Sequence, residues 1–324
     1  MSEPSHTGST DGVDAFLNFR CIGAKRSYGG LAALGLLCLA FMPVLLVWYR
    51  IAMGSDLHSH VILIPLVSVY LLVTGRNELA WDSKPSFVAG AGMILAAVGL
   101  SAWAAVFSPP WSLTDLIALK ILSFVVFVWG IGFLFLGRRW MRSAMFPMGF
   151  LLFMIPLPDL AVEKLEHLLM VMSAALAETI FSIGGIPIFR NGQMLELPGT
   201  ALQVAKECSG IRSSWVLLIT SVLAAYMFLP TMPRRIILVA AVLPLGVLRN
   251  AVRIYVIGWL CVKYGPHMID SWIHHKGGPV FFVGSLVPLF LMAWWLRKRR
   301  SQELSKDKEA GVQPVNASHP SEER

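Results

Sequence analysis

Residues 87–107 read FVAGAGMILAAVGLSAWAAVF, without one charged side chain. At 1.5 Å per residue, a helix needs about 20 such residues to cross the hydrocarbon core of a bilayer. This stretch supplies them, and it sets the reading of its neighbours. Downstream, Leu116–Leu136 carries one lysine, Lys120, near its start, where a long side chain can snorkel to the interface. Upstream lie Leu31–Trp48 and the shorter Val61–Thr74, which can extend back through Ser59 and His60. Further on come Ser143–Ile155, closed by Pro156-Leu157-Pro158, then Ile211–Leu229, Ile236–Leu248 and Val280–Leu296. A second apolar piece, Ala251–Val262, follows Leu248 and reads either as a tilted continuation of that helix or as a re-entrant piece. The expectation is an all-α, polytopic membrane helical bundle of about eight transmembrane helices.

Composition agrees. The 324 residues are 56% hydrophobic and only 14% charged, and mean hydropathy is +0.66. A soluble domain carries about 25% charge, so this chain has too little polar surface to stand in water. The net charge of +8 is no nucleic-acid signal, because the basic residues cluster between apolar runs. Those clusters (Lys25/Arg26, Arg76/Lys84, Arg138/Arg139/Arg142, Arg234/Arg235 and Arg297–Arg300) belong on the cytoplasmic side. Ser108–Thr114 has none and belongs outside. Localisation in a bacterial inner membrane follows, with both termini cytoplasmic. Residues 1–26 read as a polar cytoplasmic tail without a signal-peptide layout. Residues 27–300 read as the membrane domain, and 301–324 as a polar, disordered cytoplasmic tail.

Two outer segments differ from the spans. Asp159–Ile183 mixes Leu160, Leu165, Leu169, Met172 and Leu176 with Glu163, Lys164, Glu166, His167 and Glu178. That pattern predicts an extracytoplasmic amphipathic helix at the membrane surface. Pro187–Val204 has Gly, Pro and Asn breakers around the alternating Met194-Leu195-Glu196-Leu197, which predicts an ordered loop or short hairpin.

The polar residues collect near this outer rim. Cys208, in Glu207-Cys208-Ser209-Gly210-Ile211, immediately precedes a spanning helix. Free N–H groups and the positive dipole end favour a thiolate there, and Ser209 and Gly210 can offer N–H donors to an oxyanion. The competing reading is a small packing residue, which suits Cys21, Cys38 and Cys261 better. Arg249 and Arg253 are four apart and share a helix face, with Asn250 between them. A guanidinium within a span is a functional candidate, able to steady an oxyanion or grip a carboxylate; the alternative is a lipid-phosphate contact. His274 and His275 precede the last span on the same outer side and suit general base and acid work. Asp56, His58 and His60 form another polar group, but three ligands with metal spacing are not evident, so neither metal nor other cofactor is expected.

Four sets of residues together resemble the exosortase/archaeosortase family of membrane-embedded cysteine transpeptidases. They are Glu207-Cys208-Ser209-Gly210-Ile211 with the upstream Gly185-Ile186-Pro187 and Leu197-Pro198-Gly199; Asn250-Ala251-Val252-Arg253; His274 followed by Gly278 and Phe281-Phe282; and Ser59-His60 with Leu63-Ile64-Pro65, Phe146-Pro147 and Met154-Ile155-Pro156-Leu157-Pro158. The resemblance runs from about Leu31 to Trp295. It implies a catalytic set of Cys208, Arg253 and His274, with Arg253 favoured over Arg249 by the Asn-x-x-Arg pattern and His274 over His275 by spacing. Arg249, Asn250 and His275 remain secondary candidates. It also implies exported protein partners that end in a short motif, a hydrophobic helix and a basic cluster, with exopolysaccharide machinery and membrane lipid as further associates. Cleavage would pass through a thioester. A multispan transporter and a non-catalytic part of an envelope-polymer export system are the competing functions.

Overall fold

The computed structural model describes residues 28–54, 57–81, 84–106, 111–203, 210–270 and 278–309, with the backbone alone for 203, 269–270 and 299–309. Contacts divide the chain into two compact units, one ending at Val162 and one beginning at Glu163.

In the first unit, α1 (Tyr28–Ala40) and α2 (Met42–Gly54) meet at a bend of 69°. Pro43 has no N–H to continue the helical ladder there. The Phe41 ring at the bend lies 5.5 Å from Phe124 and 5.7 Å from Phe127. These rings belong to α5 (Leu113–Phe135), which pairs with α4 (Phe87–Val106) as a tight hairpin. Small residues permit that approach: a Cβ on Gly90 would fall 2.5 Å from Leu134, and one on Gly130 2.8 Å from Ile94. Ser123 adds a hydrogen bond to the Ala97 carbonyl at 2.8 Å. In lipid no hydrophobic force joins helices, so close packing and such bonds hold the pair. The outward face of α4 shows Phe87, Val88, Leu95 and Trp103, a surface suited to lipid.

The two shorter apolar runs stay short, and the first extends back through His60 and Ser59 as expected. Val61–Thr74 becomes a 3₁₀ turn (Ser59–Ile62) and α3 (Leu63–Thr74). Ser143–Ile155 becomes α7 (Met145–Phe150) and a 3₁₀ turn (Leu151–Met154), after α6 (Gly137–Ser143). Among the described residues six helices are long and apolar enough to cross, or seven with the bent α1–α2 pair as one, where about eight were expected. At one end of this unit Trp81 meets Trp140 edge to face and the Ala80 N–H donates to Ser143 Oγ. At the other end Ser112 caps α5, and Asp115 Oδ1 accepts the Asp159 N–H at 2.9 Å. The start of α8 (Asp159–Ile183) therefore sits beside the start of α5.

In the second unit α8 ends in a left-handed Gly185, with Ile186 N–H bonded to the Phe181 carbonyl and Gly185 N–H to Ser182. This is the Schellman closure. By length and composition α8 also suffices for a span, although its charges pointed to the surface. Three antiparallel strands follow: β1 (Phe189–Asn191), β2 (Met194–Leu197) and β3 (Thr200–Gln203). Left-handed Gly192 and Gly199 make the two tight turns. The alternation expected of Met194–Leu197 holds, with Leu195 and Leu197 buried.

The remaining helices are α9 (Ile211–Phe228), α10 (Met232–Ala240), α11 (Val242–Tyr264) and α12 (Gly278–Glu309). Pro244 explains the interruption at Ala241. Residues 251–262 are uninterrupted α11, so the continuation reading holds and the re-entrant one does not. Helix α12 continues past Ser301, into the segment expected to be a disordered tail. One core joins Leu217, Leu229, Leu238, Val242, Leu289 and Ala293 of α9–α12. Another joins Phe181 of α8, Leu195, Leu197 and Leu202 of the sheet, and Ala251, Ile254 and Ile257 of α11.

Gly258 lets the sheet rest on α11: a Cβ there would meet Phe181 at 2.5 Å and Leu197 and Leu202 at 2.9 Å. Gly258→Ala should destabilise the detergent-solubilised protein by about 1–3 kcal/mol. Gly99→Ala, with nothing within 4 Å of the new methyl, should leave the thermal midpoint unchanged or raised.

Candidate active site

Helices α9 and α10–α11 run antiparallel and are tied at both ends by an arginine reaching a backbone carbonyl. At one end Arg235 Nε donates to the Leu229 carbonyl at 2.8 Å. At the other, Arg249 Nη2 donates to the Gly210 carbonyl at 3.0 Å and to Ser214 Oγ at 3.2 Å. Fourteen residues of helix separate the two arginines, about 20 Å of rise, about two thirds of the hydrocarbon core of a bilayer.

The Gly210 corner is built from small residues. Gly210 is the N-cap of α9 with φ of 72°, a conformation that costs an ordinary L-residue about 1–2 kcal/mol. A Cβ there would also lie 2.9 Å from Arg249 Nη2 and 3.2 Å from Asn250 Oδ1. One turn into α9, Ser214 faces Gly246 of α11, where a Cβ would fall 2.7 Å from Ser214 Oγ. Ser213 Oγ donates to the same Gly210 carbonyl at 3.2 Å. Arg249 is 8% exposed and Asn250 2%, so both polar side chains are buried at the helix interface. Arg253, one turn further along α11, is half-buried.

Of the residues singled out from sequence, Arg249 and Asn250 meet the glycine that ends the Cys208-Ser209-Gly210 motif. Arg253 shares their helix face, one turn on. Cys208, His274 and His275 lie outside the described residues, as do Glu207 and Ser209. Cys261 is buried in the core beneath the sheet, and Cys38 is partly buried in α1, in keeping with their reading as packing residues. Ser214 and Gly246 were not picked out from sequence. The signal was present in their spacing, since Ser214 stands four after Gly210 and Gly246 three before Arg249, each one helical turn from a flagged residue.

The matching family model is that of the transmembrane exosortases (Exosortase_EpsH), over residues 48–291. The chain belongs to the transmembrane exosortase family. No curated protein and no solved structure matches it. Exosortases are membrane peptidases and transpeptidases of the sortase-like kind, acting on exported proteins with C-terminal sorting tags. The apolar helices agree with an integral membrane protein. The matched segment contains Cys208, Arg249, Asn250, Arg253, His274 and His275.

A second polar group lies in the first unit. His58 is buried near Asp159 and the Leu157 carbonyl; burial pushes its imidazole below the ordinary range, and the Asp159 charge pulls it partly back. Asp56 lies outside the described residues, and among those described no three His, Cys, Asp or Glu side chains gather to hold a metal.

The corner yields a sharp comparison. Gly210→Ala adds both the left-handed strain and the clash with Arg249 and Asn250. Gly199→Ala, at φ of 80° with nothing within 4 Å, adds the strain alone. Thermal unfolding in detergent should show Gly210→Ala the more destabilised by at least about 1 kcal/mol.

Proposed function

We propose that this chain is a membrane cysteine peptidase or transpeptidase that cleaves the C-terminal tags of exported proteins at the extracytoplasmic face. The observation that carries the reading is the seating of Arg249 and Asn250 of α11 on Gly210. It joins two motifs that are about forty residues apart in sequence, within a chain of exosortase membership. Cys208 lies two residues before that glycine, and two residues of chain reach about 7 Å.

The chemistry runs through three side chains. The Cys208 thiolate attacks the scissile carbonyl carbon and forms a C–S bond. Arg253 stabilises the tetrahedral oxyanion with its planar fork. As the C–N bond breaks, His274 gives its proton to the leaving amine, and a thioester remains. His274 then takes a proton from water or an acceptor nucleophile, which attacks the thioester and restores the thiolate. His275 is the alternative base.

The proposed orientation rests on charge and on one hydrogen bond. Arg76, Arg138, Arg139 and Arg142 lie on the segments that meet through Trp81 and Trp140 at one end of the first unit. With that end in the cytoplasm, the start of α5 is outside, and the Asp159–Asp115 bond brings the start of α8 to the same side. If α8 then crossed, Arg234/Arg235 and Arg297–Arg300 would face outward. Keeping α8 along the outer surface puts all of them inside, together with both termini. The tag's own membrane helix then delivers the cleavage point to the depth of the α9 start.

Processing of a tagged substrate in cells tests the chemistry. Cys208→Ala and Cys208→Ser should each reduce cleavage by at least about 10³-fold, and normal cleavage by a well-expressed Cys208→Ala protein would leave only a transporter or scaffold reading. Arg253→Lys should slow cleavage about 10²-fold, and near-normal turnover would remove Arg253 from the oxyanion role. Orientation has its own check. A cysteine at Gln193, in the first hairpin turn, should react with a membrane-impermeant maleimide in intact spheroplasts, whereas one at Arg142 should react only after lysis.

A further inference from the structure

We infer that the end of the second unit where α9 finishes and α10 begins is, together with the basic end of α12, a site for the headgroup of an anionic phospholipid. The inference is independent of the proposed chemistry. It needs no assigned side of the membrane, because both leaflets present phosphate.

Four observations carry it. First, two elements about sixty residues apart bring their cations together. Leu296, next to Arg297, is buried in the core that also holds Leu229 and Leu238, and Leu238 lies one turn beyond Arg234. Helix α10 touches α12. Segments 226–240 and 286–298 contain Arg234, Arg235, Arg297 and Lys298 and no Asp or Glu. Such a patch draws anions to it.

Second, two of these cations are held in place. Arg235 Nε donates to the Leu229 carbonyl at 2.8 Å, and its guanidinium lies 5.4 Å from the centre of the Tyr226 ring. The Lys298 ammonium stands 5.2 Å over the Trp294 ring. An aromatic face steadies a cation without neutralising it, so less freedom is left to lose when an anion binds. Third, α10 adds its own positive end to the arginines. Its N-cap, Thr231, makes no side-chain cap bond, and Pro233 stands in its first turn. The first N–H groups of a helix have no intrahelical acceptor and favour phosphate.

Fourth, apolar surface lies beside the charges. Met232 and Ile236, one turn apart on α10, are exposed, as is Trp294 on α12. Tyrosine and tryptophan are the residues that sit at headgroup level. A soluble phosphate would engage the cations and leave this apolar surface bare, whereas a phospholipid covers both. That combination selects the lipid.

Titration of the purified full-length protein in detergent with phosphatidylglycerol tests the site, with native mass spectrometry reading the fraction that carries lipid. The first phosphatidylglycerol should bind about tenfold more tightly than phosphatidylcholine, and a large excess of inorganic phosphate should leave it bound. Arg234→Gln with Lys298→Gln should weaken it about tenfold or more. Lys84→Gln with Arg138→Gln removes the same charge from exposed positions of the first unit and should weaken it less than about twofold. Both double variants should keep the parent's lipid-free thermal midpoint. If Arg234→Gln unfolds the protein, Lys298→Gln alone, at an exposed side chain, carries the test with a loss of about threefold to fivefold. Equal weakening by the two doubles overturns the site and leaves only the general attraction of a basic protein. Equal affinity for the two lipids overturns recognition by charge. Displacement of phosphatidylglycerol by inorganic phosphate overturns the lipid as occupant.

Discussion

The bond from Arg249 to the Gly210 carbonyl fixes where helix α9 begins. It lies between two helices, partly shielded from solvent, and a charge-assisted hydrogen bond is stronger there than at an open surface. Much of the neighbouring sequence is set by it. Gly210 must be glycine, because its φ is left-handed and its missing Cβ is the space the guanidinium and Asn250 occupy. Gly246 must be small so that Ser214 can turn its hydroxyl to the same fork. Together with the Arg235–Leu229 bond at the far end, it holds two antiparallel helices in one register.

Register matters because the two helices differ in length. Helix α9 has 18 residues, about 27 Å, whereas α10 and α11 together run from Met232 to Tyr264. The excess all lies beyond Arg249. That overhang carries Ala251, Ile254, Ile257 and Cys261, the floor on which the sheet and the end of α8 pack. One helix thus serves two environments, and the buried polar residues sit at the change between them. The cost of placing Arg249 there is offset by its bonds to the Gly210 carbonyl and Ser214 Oγ.

The first unit solves a different problem. Its long hairpin needs no buried charge, because Gly90 and Gly130 let the backbones approach closely and Ser123 adds its bond to the Ala97 carbonyl. Its short helices are held by tryptophan N–H groups instead, Trp48 to the Met154 carbonyl and Trp129 to the Met148 carbonyl. These bonds satisfy carbonyls freed where α7 gives way to a 3₁₀ turn, a necessity in a medium that offers no water.

Charge-free runs such as Phe87–Val106 declared the membrane, since this follows from transfer free energies that are local to each segment. The period of Met194–Leu197 likewise announced a strand, and the Asn-x-x-Arg and Cys-Ser-Gly spacings announced the family. What tertiary structure decided was how short apolar stretches resolve. Val61–Thr74 and Ser143–Ile155 became short helices because proline and 3₁₀ geometry, supported by neighbours, made them so, and 251–262 joined α11 because its backbone had no reason to break. Only the fold brought Arg249, rather than Arg253, onto Gly210. Both arginines have the same chemistry and share one helix face. The choice between them depends on the depth at which α9 starts against α11, and that is a property of two helices packed together, which no single segment encodes.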